Sequence, residues 1–141
     1  MSAAPEQIFV YGSLRSGFQN PAYQYISQYF SLVGNAKVKG RLYHMGNFPA
    51  AQPCNEETYI IGELYAAKNN DEFAWAISQL DDYEGIHIEE GETEYYKRQQ
   101  TTVYINGQTT MAWIYWYAQP IIDKPFIPSG DIFDFVQQKN D

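Results

Sequence analysis

Tyr96-Lys97-Arg98-Gln99-Gln100-Thr101-Thr102-Val103-Tyr104-Ile105-Asn106-Gly107-Gln108-Thr109-Thr110-Met111-Ala112-Trp113-Ile114-Tyr115-Trp116-Tyr117 decides the fold class of this chain. Two runs rich in β-branched and aromatic residues, Tyr96 to Ile105 and Thr109 to Tyr117, flank Asn106-Gly107. Asn-Gly is the strongest short hairpin signal, because both residues tolerate the positive φ angles of the turn that matches strand twist. The stretch therefore predicts an antiparallel pair. Neighbours on a strand alternate faces, so Tyr115 and Tyr117 share one side and Trp116 takes the other.

Upstream, Tyr59 to Ala66 and Lys37 to Tyr43 show the same alternation and are predicted strands, whereas Asn47 to Asn55 holds two prolines without periodicity and is predicted loop. Ile8-Phe9-Val10-Tyr11 is an apolar run stopped by Gly12-Ser13, as expected of a buried first strand entering a tight loop. Asn20 to Phe30 is expected to contain a helix starting after Pro21. A second helix, capped by Asn69 or Asn70, is expected to end at Glu84. Downstream, three prolines between Pro120 and Pro128 block regular structure, and Asp131 is positioned to cap a short last helix through Val136. Runs of strands with few helices point to one α+β domain over residues 1–141: a mixed, largely antiparallel sheet curled around a core, rather than alternating strand and helix units.

The second helix raises a chemical question. At roughly 100° per residue, Phe73, Ile77, Leu80 and Glu84 fall within about 60° of one another, so the apolar stripe ends in an acid. Asp81 lies near the edge of the stripe and Asp82 opposite it, which predicts that water solvates both more easily than Glu84. Gly85 supplies the helix stop. Desolvation and the negative end of the helix dipole would both raise the pKa of Glu84 toward the range useful to a general base. A structural role, with Glu84 bonded to a backbone amide or paired with Arg98, remains equally open on the helix argument alone.

Composition narrows the function classes. With 17 Asp and Glu against 9 Lys and Arg, the net charge of −8 argues against a nonspecific grip on nucleic acid or an anionic membrane. The run Glu89, Glu90, Glu92, Glu94 is expected to be a solvated loop. Thirteen Tyr, eight Phe and three Trp supply core mass and hydroxyl groups for a polar pocket. Cys54 is the only cysteine, so no intrachain disulfide forms, and Met1 to Pro5 lack the basic and apolar regions of a secretion signal. The expected compartment is the cytoplasm. No apolar run approaches the roughly 20 residues of a membrane span.

Gly12-Ser13-Leu14-Arg15-Ser16-Gly17 has the glycine spacing of a phosphate loop, but Phe18 and Gln19 stand where Lys and Ser or Thr are required. What survives is a turn at Tyr11 to Leu14 whose backbone N–H groups could hold a carboxylate or an oxyanion, or simply turn the chain. Ser13 lacks the flanking glycines of a nucleophile elbow, and only His44 and His87 could serve as its base. His44, Cys54 and His87 show no ligand spacing, so no metal is expected.

Together, Phe9-Val10-Tyr11-Gly12-Ser13-Leu14, Lys39-Gly40-Arg41-Leu42-Tyr43, Phe48-Pro49-Ala50, Gly62-Glu63-Leu64-Tyr65, Leu80-Asp81-Asp82-Tyr83-Glu84-Gly85, Tyr96-Lys97-Arg98, Ala112-Trp113-Ile114-Tyr115 and Ile127-Pro128-Ser129-Gly130-Asp131 resemble, in this order and over nearly the whole chain, the gamma-glutamylcyclotransferase-like family, which includes the AIG2-like and gamma-glutamylamine cyclotransferase-like proteins. Ile132, where the family often has Trp, and the acidic insert Ile86 to Glu94 depart from its pattern. The resemblance implies a small mixed β-barrel with peripheral helices, a cavity at one mouth, and no metal or organic cofactor. It implies that Tyr11, Gly12, Ser13 and Leu14 hold the amino-acid end of a small-molecule gamma-glutamyl substrate and that Glu84 is the catalytic acid/base, releasing 5-oxoproline by intramolecular acyl transfer. Tyr96 and Tyr115 are further candidates for the cavity wall, and Arg98 is expected to pair with an acid of the protein in preference to the substrate. The competing functions are a non-catalytic binding module for gamma-glutamyl or similar polar ligands, and a transferase passing the glutamyl group to a second molecule. Neither the leaving amine nor the oligomeric state follows from the sequence.

Overall fold

The computed structural model describes residues 6–11, 21–45, 49–84 and 95–131. Among the described residues, seven strands and two α-helices follow one another as β1 (Gln7–Val10), α1 (Pro21–Tyr29), β2 (Phe30–Lys39), β3 (Arg41–His44), β4 (Pro49–Gln52), β5 (Tyr59–Ala67), α2 (Phe73–Glu84), β6 (Tyr96–Ile105) and β7 (Gln108–Tyr117). Five of the strands close into a barrel in the order β1-β5-β2-β6-β7, and β3 and β4 form a separate antiparallel pair. Every neighbouring pair in the barrel is antiparallel except β7 with β1, which run parallel with Ile8 opposite Trp113. An odd number of strands imposes that exception. Strands that alternate in direction around a ring of five must meet two alike where the ring closes.

The predicted hairpin is present over its full length, from Tyr96 opposite Tyr117 to Ile105 opposite Gln108. Asn106 and Gly107 take φ angles of 52° and 76°, as the turn requires. Strand alternation then separates two apolar clusters. Phe9, Tyr11, Val38, Ile60, Ala112, Ile114 and Trp116 belong to the cluster inside the barrel, which Leu42, Ala51 and Ile127 extend beside the small sheet. Ile8, Val10, Tyr65 and Tyr115, on the opposite face of the same strands, pack against Ile26 and Phe30 and against Ala76, Ile77 and Leu80 of α2. The barrel wall is thus apolar on both faces where the helices cover it. Tyr25 of α1 donates its phenol hydrogen to the Ala76 carbonyl at 3.1 Å and joins the two helices.

Three expectations are corrected. Lys37 to Tyr43 is not one strand: the chain breaks at Gly40, so β2 ends at Lys39 and β3 starts at Arg41, and β2 itself begins seven residues earlier, directly after α1. The expected loop Asn47 to Asn55 contains β4, whose first residue, Pro49, sits at a strand start where a missing N–H is tolerated. The first strand stops at Val10, one residue before Tyr11. Elsewhere the agreement is close. Asn69 caps a single 3₁₀ turn, Asn70–Glu72, through a bond from the Asp71 amide, and α2 follows it to Glu84. The segment from Pro120 to Pro128 forms no helix or strand, apart from an isolated bridge between Phe126 and Tyr43. Gly85, the acidic run to Glu94 and the helix expected after Asp131 lie outside the described residues.

β1 approaches β5 so closely at Gly62 that a Cβ there would lie 2.2 Å from the Val10 carbonyl oxygen and 2.6 Å from the Phe9 ring. Gly62→Ala is therefore expected to lose about 1–3 kcal/mol or more, as overpacking against backbone does, measurable as a lowered urea midpoint. Alkaline stability has a predictable sign as well. Burial, reinforced by neighbouring Tyr29, pushes the Tyr25 phenol from 10 up to about 12. A group raised in the folded state stabilises fully below its unfolded pKa and loses that contribution as pH climbs through the folded value. Between pH 10 and about 12 the wild type should lose more stability than Tyr25→Phe does, read from urea titrations across that range.

Candidate active site

α2 buries Ile77 and Leu80 against the barrel, as its apolar stripe predicts, leaves Phe73 half-buried, and buries Ala76 and Asp81 beside the stripe as well. Asp81, expected to be solvated at the stripe's edge, is only 2% exposed. The correction has a physical cause in β6. Arg98 donates from Nε to Asp81 Oδ1 at 2.7 Å and from Nη2 to Oδ2 at 3.0 Å, a bidentate pair, and the Tyr115 phenol donates to Oδ1 at 2.9 Å. A carboxylate stripped of water is tolerated when a charge and several donors replace the hydration. Arg98 stands directly across the hairpin from Tyr115, and its guanidinium also lies 4.4 Å from the centroid of the Trp113 ring. The expectation that Arg98 pairs with an acid of the protein holds, and the acid is Asp81. Asp82 is exposed, as expected.

On the other side of β7, Tyr11 follows the last residue of β1 and points into the barrel cluster. Its phenol donates to the backbone carbonyl of Tyr115. Tyr115 is thus bonded by its side chain to α2 and by its carbonyl to the residue that precedes Gly12. Tyr96, proposed for the cavity wall, is half-buried and meets Tyr117 edge to face at 5.6 Å. Glu84 is the last residue of α2, one turn beyond Asp81 and in helical phase with Ile77 and Leu80. Its side chain, and all of Gly12, Ser13 and Leu14, lie outside the described residues.

Sequence reasoning missed a second buried acid. Glu63 on β5, 5% exposed, accepts from the Tyr65 phenol at 3.1 Å and stands beside Val10 of β1. The signal was an acid inside an apolar strand, at the same face as Tyr65 two residues on. A groove of about 640 Å³ opens elsewhere, at the β6–β7 turn between Lys37, Ile61, Tyr104 and Asn106, and Tyr11 does not line it. Among the described residues no three His, Cys, Asp or Glu side chains cluster as metal ligands, and no helix is long and apolar enough to cross a membrane.

The fold, a closed five-stranded mixed barrel with helices packed on its wall, is shared with solved structures. An aig2-like protein from Mus musculus superposes with a TM-score of 0.64 at 20% identity, over 89% of this chain and 88% of that one. YkqA from Bacillus subtilis gives 0.67 at 24% identity over 96% of this chain, which spans only 43% of that longer protein. The protein called "Putative gamma-glutamylcyclotransferase MJ1514", from Methanocaldococcus jannaschii, is 28% identical over 131 residues, 92% of this chain and 98% of its own length. The family model "Gamma-glutamyl cyclotransferase, AIG2-like" matches residues 8–134, and the chain belongs to that family.

The buried pair makes an asymmetric prediction. The Asp81 side chain is 3% exposed and that of Arg98 23%, so the stranded carboxylate is the worse to leave behind. Arg98→Met should destabilise by about 3–5 kcal/mol and Asp81→Asn by less. Joint replacement by Asp81→Leu and Arg98→Met should recover part of the Arg98→Met loss in urea unfolding.

Proposed function

We propose that this protein releases 5-oxoproline from a gamma-glutamyl peptide or amine, with Glu84 as general acid/base. Family membership and the ending of α2 at Glu84, next to a helix turn pinned to the barrel by Asp81, are the observations that carry the proposal. The free α-amine of the substrate attacks its own γ-carbonyl carbon. A C–N bond forms to close the five-membered ring, and the bond from that carbon to the departing amine breaks. Near neutral pH the attacking amine is protonated. Glu84 removes that proton, and after attack the ring nitrogen sheds a second one on becoming the lactam N–H; both pass to the leaving nitrogen, which departs as an ammonium ion, so no net proton is gained or lost by the enzyme. The backbone N–H groups of Gly12, Ser13 and Leu14, introduced by Tyr11, would hold the substrate folded and stabilise the oxyanion of the tetrahedral intermediate.

The substrate carries both nucleophile and electrophile, so the reaction as written needs neither metal nor organic cofactor. Residues 1–141 act as one domain in this proposal, and the cytoplasm is its setting.

The test is release of 5-oxoproline from a panel of gamma-glutamyl peptides and amines. Wild type should turn over at least one member. Glu84→Gln, folded by circular dichroism, should lose about 10²–10⁴-fold in kcat, the share a positioned proton-transfer group supplies. Binding without turnover would instead identify a binding module, and a new amide in place of 5-oxoproline would identify a transferase.

A further inference from the structure

β2 and β6 pair at a single position, Lys37 opposite Tyr104. Beyond it β6 ends in the Asn106-Gly107 turn, while β2 runs back toward Phe30 with no β6 residue beside it, and the parting strands leave the groove of about 640 Å³. We propose that this groove binds a small organic monocarboxylate with a planar or apolar body. It is separate from the site proposed above, since neither Tyr11 nor any residue of α2 lines it.

Volume and lining both fit such a ligand. Small-molecule pockets run from about 300 to 1,000 Å³ and combine an apolar surface with a few polar groups. Here Ala36, Ile61 and Ile105 supply the apolar surface, and Asn35, Lys37, Tyr104 and Asn106 the polar groups. Ile61, Lys37 and Tyr104 stand opposite one another in turn across β5, β2 and β6, so their side chains share the outer face of the barrel. Lys37 is the only charged residue of the lining, and among the described residues it forms no ion pair; its ammonium rests 4.3 Å from the centroid of the Tyr59 ring. The Glu57 carboxylate is engaged instead by Lys39 at 3.6 Å and by the Tyr59 phenol at 2.9 Å. A cation–π contact occupies one side of an ammonium and leaves donors for a carboxylate. The Tyr104 phenol and the side-chain amides of Asn35 and Asn106 have no hydrogen-bond partner among the described residues, and the Tyr104 ring, edge to face with Tyr59 at 5.8 Å, offers a flat surface. One lysine, with no arginine fork beside it, suits a single carboxylate better than a phosphate. In a chain of net charge −8, a groove lined by no acid also spares an organic anion local repulsion.

N-benzoylglycine carries a carboxylate, an amide and a planar ring, and serves as the probe. Titrated into isotope-labelled protein, it should give saturable amide shifts in NMR spectra at residues 35–37, 61 and 104–109, half-complete at about 1 mM or below, as is ordinary for a ligand of its size. Lys37→Met keeps most of the stem and removes the charge. It should weaken binding about tenfold or more, and so should exchanging the probe's carboxylate for a neutral amide. Lys68→Met, outside the groove, should stay within about twofold of wild type, because an exposed charge at a distance is screened. An amide spectrum unchanged away from the groove shows that Lys37→Met is folded. No saturation by about 10 mM, shifts confined to other residues, or wild-type affinity in Lys37→Met would each overturn the inference. Equal binding of the neutral amide would overturn the assignment of a carboxylate ligand. Binding is read without turnover, so the outcome stands apart from whether 5-oxoproline is released.

Discussion

A carboxylate with almost no access to water, Asp81, holds the C-terminal turn of α2 to the barrel wall through Arg98 and Tyr115. Apolar packing alone would leave that turn free to slide, because contacts among Ala76, Ile77, Leu80 and the outward side chains of β1 and β7 are non-directional. A bidentate guanidinium–carboxylate pair has one good geometry. Asp81, Arg98 and Tyr115 come from α2, β6 and β7, so the pair also specifies how the helix sits on the hairpin. Such a pair gives little net stability against an apolar replacement, and its value lies in orientation.

The barrel itself supplies rigidity. Closing five strands with one parallel contact removes free edges over most of the sheet and turns one strand face inward, where Phe9, Val38, Ile60, Ile114 and Trp116 meet. The outward face is then available for helices. A close backbone approach lies at Gly62, beside the end of β1. Tyr11 therefore follows a strand end that is sterically held. A site that must hold a folded substrate benefits from such support, since proximity catalysis tolerates little slack.

Much of this was legible without coordinates. Asn106-Gly107 placed the hairpin, because a two-residue turn with positive φ is encoded in the two residues themselves. The 3.6-residue period placed α2 and its end at Glu84, and alternation along β7 assigned Trp116 and Tyr115 to opposite faces. β4 was not legible. Pro49 to Gln52 carries no period, and its strand conformation depends on β3, which lies across the chain reversal and presents Tyr43 and Leu42 to it. The break at Gly40 belongs to the same class, being set by where β2 leaves the barrel for the small sheet.

Sequence by itself determined the elements whose signals are local: the turn, the helix phase, the alternating strands, and the ordered motifs that carry the family resemblance. Tertiary structure decided closure, with its single parallel seam, and it decided which acids lose their water. On the helical wheel Asp81 fell near the edge of the stripe, where water was expected to reach it, because a wheel knows only its own helix. Its partner Arg98 lies on another element, and only folding brings the two within hydrogen-bonding distance, 2.7 Å from Nε to Oδ1. Burial of a charge is a property of its partners, and partners far apart in sequence have no local signal.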